Sequence, residues 1–340
     1  MRQNITLKGL AKKLDLSIST ISRALKDHPD ISDKTKERVQ KLAKELNYSP
    51  NVFAQGFRSH RSHILGVIVP NVSHYFTTTM LKGIMDEGEA LGYRIIVSES
   101  KGEEKKQIEM LQTMIQFGVD GILMSLARRT KSIAEILNIM NQIPLVLFDK
   151  VSDKIPCTQV VIDEEVAAYN AVEHLIHTGK RRIAIIKETE NSYNSEKRFK
   201  GYLKALRDND IEIDEKIILS TEDISLEKGK SMGNILLSQK NRPDAVFAIT
   251  DSAAIGVIKA LNKFKVKIPE EIAVVGFSNS KSSTIVSPSL TTVDQPGNRI
   301  GRTALKYLVD EIENPSEDSF SKTIEVKTNL IIRDSSFLPA

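Results

Sequence analysis

From Ile64 to the end, short apolar runs alternate with amphipathic stretches, and this rhythm limits the fold more than any other feature of the chain. ILGVIVP, YRIIVSES, DGILMSL and PLVLFDK read as buried strands, separated by helical stretches around 75–91, 103–117 and 130–142. A second series follows: TQVVID, RRIAIIKE, KIILST, PDAVFAIT and EIAVVGF, again with helices between. The runs are near-continuous rather than alternating, so both faces of each strand are covered, as in parallel sheets wrapped by helices. The pattern predicts two similar, doubly wound α/β halves that meet near Asp149–Asp163. Helix 297–313 and strand Thr323–Val326 take the chain back across. Open sheets of this kind bind ligands at the carboxyl ends of their strands, so two facing halves imply a central cleft.

The first 61 residues have a different texture. In TLKGLAKKLDLSISTISRAL, Leu7, Leu10, Ala11 and Leu14 form the stripe of one short helix, and Asp15–Ser17 break the period. Ser17 is placed to cap a second helix whose inner face is Ile21, Ala24 and Leu25. So tight a connection makes the two helices cross steeply, as in a helix-turn-helix. The outer face then carries Ile18, Ser19, Ser22 and Arg23: an apolar tip for a thymine methyl, hydroxyls, and a fork for guanine. The bland alternatives are a packed helix end for Ile18 and a solvated charge for Arg23. After the loop Lys26–Ile31, Ser32 is expected to cap a third helix with Val39, Leu42, Ala43 and Leu46 inward. This three-helix domain spans 1–48.

Residues 49–61 start as a helix should, with Ser49 and Pro50, yet leave room for about two turns, and Gly56 weakens them. Phe53 and Phe57 fall one turn apart, which suits a segment that orders only against a partner; the alternative for Phe57 is the core of the next domain. Charge supports a polyanionic partner. Residues 1–61 carry a net +7 and the remainder a net −3. The positive charge is thus concentrated where phosphates would be met. One cysteine, Cys157, excludes a disulfide framework and a Cys-based zinc site. His174 and His177 share a helix but have no third ligand nearby, so no metal is expected. The longest apolar runs fall far short of a membrane span, and the start has no export signal, so a cytoplasmic location is expected.

These segments together resemble the lactose-repressor (LacI/GalR) family of bacterial transcription regulators. TLKGLAKKLDLSISTISRAL is similar to its helix-turn-helix signature, and HPDISDKTKERVQKLAKELNYSPN to its third helix and hinge entry. GVIVPNVSHYF, VEHLIHTGKRRIAII, RFKGYLKAL, AVVGFSN and SLTTVDQP resemble landmarks of its periplasmic-binding-protein-like (type I) effector domain. The resemblance implies an all-α headpiece at 1–48, a hinge at 49–61 and an effector and dimerisation domain at 62–340. The N-subdomain would comprise about 62–161 and 293–323, the C-subdomain about 162–292 and 324–340. It further implies a homodimer on a pseudo-palindromic double-stranded operator, regulated by a small-molecule effector such as a sugar or related metabolite, and acting as a repressor.

On DNA, the resemblance carries over Ile18, Ser19 and Arg23 as base readers, with Thr6, Ser17, Thr20 and Ser22 as capping, phosphate or packing positions. In the hinge it carries over Asn51, Phe53, Ala54 and Phe57, with Phe57 at the position of the minor-groove wedge, usually leucine. In the cleft it carries over Tyr75, Phe76, Asp149, Asn194, Arg198, Asp251 and Gln295. Plainer readings stand beside four of these: a loop cap for Asp149, a solvated charge for Arg198, the N-cap of helix 252–263 for Asp251, and a turn residue for Gln295. Two departures bear on the ligand. Gly276-Phe277 is followed by Ser278 and Asn279 rather than an acidic residue, and Ile224 stands where sugar-binding members often have an aromatic ring. IIRDSSFLPA has no leucine heptad, which favours a dimer over a tetramer. No GxGxxG after a strand, Walker motif, GxSxG or HExxH is present, so neither an enzyme nor a cofactor is expected. A solute receptor without a DNA role and an α/β enzyme are the alternatives.

Overall fold

The computed structural model describes residues 5–46, 48, 61–128, 130–189, 192–315 and 321–337. It divides into a unit ending at Ser62 and a unit beginning at His63. In the first unit, α1 (Leu7–Leu14), α2 (Ile18–Leu25) and α3 (Asp33–Glu45) pack around Leu10, Ala11, Ile21, Ala24, Val39 and Ala43. Asp15 adopts a left-handed conformation (φ 54°) that ends α1 and lets the chain turn at once into α2. Thr6 caps α1, its Oγ1 accepting from Gly9 N at 3.1 Å, and Ser17 caps α2 by accepting from Thr20 N at 3.0 Å. Ser32 precedes α3 as expected but departs in detail: its Oγ pairs with the Thr35 hydroxyl at 2.9 Å and caps no backbone amide.

The second unit contains two six-stranded sheets. The first is built from β1 (Ile64–Val69), α4 (Tyr75–Ala90), β2 (Arg94–Glu99), α5 (Glu104–Gln116), β3 (Gly121–Met124), α6 (Ile133–Met140), β4 (Leu145–Phe148) and β5 (Gln159–Val161). The second follows with α7 (Glu164–His177), β6 (Ile183–Glu188), α8 (Tyr193–Asp208), β7 (Ile218–Thr221), α9 (Leu226–Ser238), β8 (Ala245–Ala248), α10 (Asp251–Lys263), β9 (Ala273–Phe277), α11 (Ser282–Ile285) and β10 (Thr291–Asp294). The chain then returns through α12 (Gly297–Glu313) and β11 (Thr323–Glu325) to the first sheet, and ends with β12 (Asn329–Ile331) in the second. The strand orders are β11-β5-β4-β3-β1-β2, parallel throughout, and β12-β10-β9-β8-β6-β7, parallel except for the β12–β10 edge pair.

Strand pairing moves two expectations. TQVVID, grouped by its place in the alternation with the second series, is β5 of the first sheet: Leu147 and Phe148 pair with Gln159 and Val160. Boundaries near 292/293 and 323/324 fall inside β10 and β11, so the crossings lie after Asp294 and after Glu325. Three crossings in all (after β5, β10 and β11) join the two subdomains.

The central strands explain the apolar runs. Every residue of β1, β3, β4, β8 and β9 is buried. Helix α12 is fixed on the first subdomain by contact with α4 at glycines. A Cβ at Gly83 would lie 2.1 Å from Asn298 O, and one at Gly301 would lie 2.1 Å from Met80 O. Backbones that close tolerate no side chain. This anchors the segment immediately before α12, which includes Gln295.

Candidate functional site

In the first unit, α2 separates its faces cleanly. Ile21 and Ala24 are fully buried, whereas Ile18, Ser19 and Arg23 are exposed and Ser22 is half-buried. Three hydroxyls gather at its N-terminus, with Ser17 Oγ 2.7 Å from Ser19 Oγ and 2.8 Å from Thr20 Oγ1. Such a terminus, with free N–H groups and the positive end of the helix dipole, suits a phosphate. Arg23 stands 3.8 Å from the Asp30 carboxylate, and both side chains are more than half exposed. A solvated pair of this kind is worth little, so Arg23 is free to exchange it for a base edge. Asn51, Phe53, Ala54 and Phe57 lie outside the described residues.

In the second unit, the seven cleft candidates all stand at or just beyond carboxyl ends of strands. Tyr75 and Phe76 begin α4, Asp149 follows β4, Asn194 and Arg198 ride on α8 after β6, Asp251 opens α10 after β8, and Gln295 follows β10. Phe76, Asp149, Asn194, Arg198 and Gln295 surround one cavity of about 280 Å³ between the subdomains. Tyr75 and Asp251 instead line an adjoining hollow of about 600 Å³, which Phe76 also borders.

Asp149 sits in a left-handed conformation (φ 61°) that turns its carboxylate into the cavity. Oδ1 accepts from Asn194 Nδ2 at 2.7 Å and Oδ2 from Ser125 Oγ at 3.3 Å. Because a carboxylate only accepts, this bond sets the orientation of the Asn194 amide and turns its Oδ1 away from Asp149. That Oδ1 is buried and has no partner. Gln295 mirrors it: Oε1 accepts from Ser278 Oγ at 2.8 Å, and Nε2 is buried and unpartnered. An orphaned buried polar atom costs about 1–3 kcal/mol.

Arg198 is no solvated charge. It is 5% exposed and forms a fork with Glu164, Nε–Oε2 at 2.6 Å and Nη2–Oε1 at 3.1 Å, while Nη1 donates to Ile249 O at 2.6 Å. Its guanidinium lies 3.6 Å from the centre of the Phe277 ring. Three of its five N–H groups are thereby used. Burial raises the Glu164 carboxyl above its ordinary range, and Arg198 opposes that rise. A guanidinium cannot give up its proton, and its fork on both Glu164 oxygens favours the ionised carboxylate.

Asp251 differs from the cap reading. Thr250 is the N-cap of α10, its Oγ1 accepting from Ala253 N at 3.3 Å. The Asp251 carboxylate is 2% exposed and ties the loop after β9 to strand β10, accepting from Ser280 N at 2.6 Å and Thr292 Oγ1 at 2.5 Å. Burial pushes its pKa up, and those two bonds pull it back. Tyr193, beside the cavity wall, is pushed up to about 12 by burial and neighbouring carboxylates.

Sequence reasoning missed a second tie across the cleft. Arg128, after β3, donates Nη2 to Glu188 Oε1 at 2.6 Å and Nη1 to Glu222 O, both groups of the second subdomain. The signal was available, since both Arg128 and Glu188 stand at the carboxyl ends of apolar runs. Glu164 gave no such signal; it reads as an ordinary acidic first-turn residue until the fold puts α7 beside α8.

Residues 6–51 match the model of bacterial regulatory proteins, lacI family, and residues 172–336 that of a periplasmic binding protein-like domain. Catabolite control protein A of Priestia megaterium is 31% identical over 93% of this chain and 95% of its own length. The chain belongs to the lacI family of bacterial regulatory proteins. The HTH-type transcriptional repressor PurR of Pectobacterium carotovorum is 30% identical over 97% of this chain and 96% of its own. The solved structure of the Lac repressor dimer bound to operator and the anti-inducer ONPF superposes with a TM-score of 0.87 at 23% identity, covering 99% of this chain and 100% of that one, which establishes the fold. As a lacI-family member the chain is a DNA-binding transcription regulator with an effector-binding domain. Its relatives are regulators and not enzymes, so the enzyme and the DNA-free receptor both fall away. No helix among the described residues is long and apolar enough to cross a membrane.

Proposed function

We propose that the chain is a cytoplasmic, homodimeric repressor that reads a pseudo-palindromic operator through α2 and tunes its grip to a small molecule held between the two subdomains. Ile18, Ser19 and Arg23 contact base edges, and Thr6, Ser17, Thr20 and Ser22 hold phosphates or the helix end. Asn51, Phe53, Ala54 and Phe57 supply the minor-groove contacts, with Phe57 as the wedge. Phe76, Asp149, Asn194, Arg198 and Gln295 hold the effector, a sugar or related metabolite, while Tyr75 borders its entrance and Asp251 braces the wall.

The observation that carries the effector reading is the pair of unpartnered amide atoms, Asn194 Oδ1 and Gln295 Nε2, beside one cavity. A ligand offering a donor and an acceptor relieves both. The dimer reading draws on Ile285, a large apolar side chain 80% exposed beside the hollow lined by Leu226, Ile255 and Val286. An exposed apolar rim of that kind is covered by a second copy.

Selection of duplexes from a randomised pool tests the DNA half. The full chain is expected to enrich a two-fold symmetric sequence, and Arg23→Ala to enrich it more weakly, with relaxed preference at the base pair it reads. Equal enrichment by both proteins, or no enrichment by the wild type, would reject the assignment.

A further inference from the structure

We propose that Glu164 cancels the charge of Arg198 and so makes the cleft selective for an uncharged effector, refusing the carboxylates and phosphates that Arg198 would otherwise hold. The inference rests on the reading of the cleft as the effector site and names the ligand's charge class. Glu164 is a positioning residue: it acts on ligand through Arg198.

The geometry leaves Arg198 little freedom. Its fork on Glu164, its bond to Ile249 O and its stacking on Phe277 hold it from three sides. Glu164 and Arg198 come from neighbouring helices whose spacing is set by backbone contact: a Cβ at Gly201 would lie 2.2 Å from Glu165 O. The carboxylate therefore cannot drift away, and it is only 4% exposed, so no counter-ion from solvent replaces it. An anionic ligand at Arg198 would meet a cation already neutralised at 2.6 Å, with a buried negative charge directly behind it.

The remaining walls do not restore a positive field. Lys101, Arg128 and Lys150 border the cavity, but so do Asp149, Glu188 and Asp223, and Arg128 is spent on Glu188. What the cavity does offer is neutral. Asn194 presents an acceptor whose orientation Asp149 enforces, and Gln295 presents an amide N–H. A hydroxyl-bearing or amide-like ligand satisfies both without bringing a charge into a site whose lining cations and carboxylates already balance.

The test is Glu164→Gln in the full chain, with inorganic phosphate and gluconate as probes at constant ionic strength against sodium chloride. The amide keeps the shape and one acceptor of the fork, gives up the other, and leaves Arg198 uncompensated. E164Q is expected to melt below wild type in chloride and to recover by about 2–4 °C, saturably, with either anion. The wild type is expected to show no saturable response, and the double variant E164Q/R198M to lose the recovery. Folded E164Q with no anion response, or a recovery that survives in E164Q/R198M, would overturn the inference. If E164Q does not fold, the wild type decides: anion binding that Arg198→Met abolishes overturns the inference, and its absence supports it. Failure of the wild type to bind any neutral ligand would count against the cleft as effector site, while the anion arms still judge Glu164.

Discussion

Asn194 donates its Nδ2 to Asp149 Oδ1 at 2.7 Å, and this bond joins the two subdomains over the cavity between them. Asp149 belongs to the loop after β4 of the first sheet and Asn194 to α8 of the second. Together with Arg128–Glu188, it ties the two sides of the cleft at two points. In the proposed effector site the same bond orients the Asn194 acceptor, which would make closure and recognition depend on one side chain. Asn194→Ala should therefore weaken effector binding by more than one hydrogen bond's worth, about 1.5–3 kcal/mol for a bond to a charged group plus the loss of the acceptor. Calorimetry with a ligand found by thermal-shift screening checks it; wild-type affinity in the variant would remove Asn194 from the site.

Arg128→Ala deletes the other tie without touching the orphaned amides. The pair is only partly exposed, with side chains at 28% and 17%, so its loss should cost about 1 kcal/mol and favour the open cleft. Small-angle scattering of the ligand-free variant should show a larger radius of gyration than wild type. An unchanged profile would mean that this pair does not govern closure.

On DNA, Arg23→Ala should cost about 1–3 kcal/mol on the preferred duplex and little on random duplex. Binding to random duplex should nonetheless fall steeply with salt, because the net +7 of residues 1–61 displaces counterions. Fluorescence anisotropy over a salt series separates the two effects, and equal losses on both duplexes would make Arg23 a phosphate contact.

His174 is half-buried, and its Nε2 lies 2.7 Å from Ser336 Oγ. Burial, with His177 adding to it, lowers its pKa below the ordinary 6.5. A lowered folded value means that the unfolded chain binds the proton more readily. Stability from this group is complete above about pH 6.5 and drains away as pH falls through the folded value. His174→Gln should flatten the melting-temperature profile between about pH 5 and 7. A profile parallel to wild type would show that the imidazole does not titrate on unfolding.

Cys157 is 7% exposed, and burial pushes its thiol up to about 12. It should resist thiol reagents in the native state and react with one equivalent in denaturant. Rapid native labelling would contradict its placement.

Much of this was legible because burial on both strand faces leaves a plain mark. The runs at Ile64–Val69 and Ala245–Ala248 announce central parallel strands, and carboxyl-end positions point to Asp149 and Gln295. Two strands of the second sheet were harder. Asn329–Ile331 is short and only partly buried, and its apolar run, Leu330–Ile332, is too brief to announce a strand. Thr291–Asp294 is buried yet polar, because Thr292 is needed to tie Asp251. Asp251 and Arg198 were visible as residues but not as partners, since each is defined by groups far away in sequence: Ser280 and Thr292 for one, Glu164 and Ile249 for the other. Gly276 makes the same point, because a Cβ there would lie 2.5 Å from Asp251 Oδ1, a constraint that no local pattern encodes.

The most direct test of the whole account measures operator affinity with the cleft empty and occupied. A duplex enriched by the full chain is titrated by anisotropy at fixed salt, with and without a saturating neutral ligand found by thermal shift. The account predicts a change in Kd of about 5–150-fold, as typical couplings of 1–3 kcal/mol give, and its loss in Asn194→Ala at the same ligand concentration. An identical Kd with the cleft demonstrably filled would contradict it.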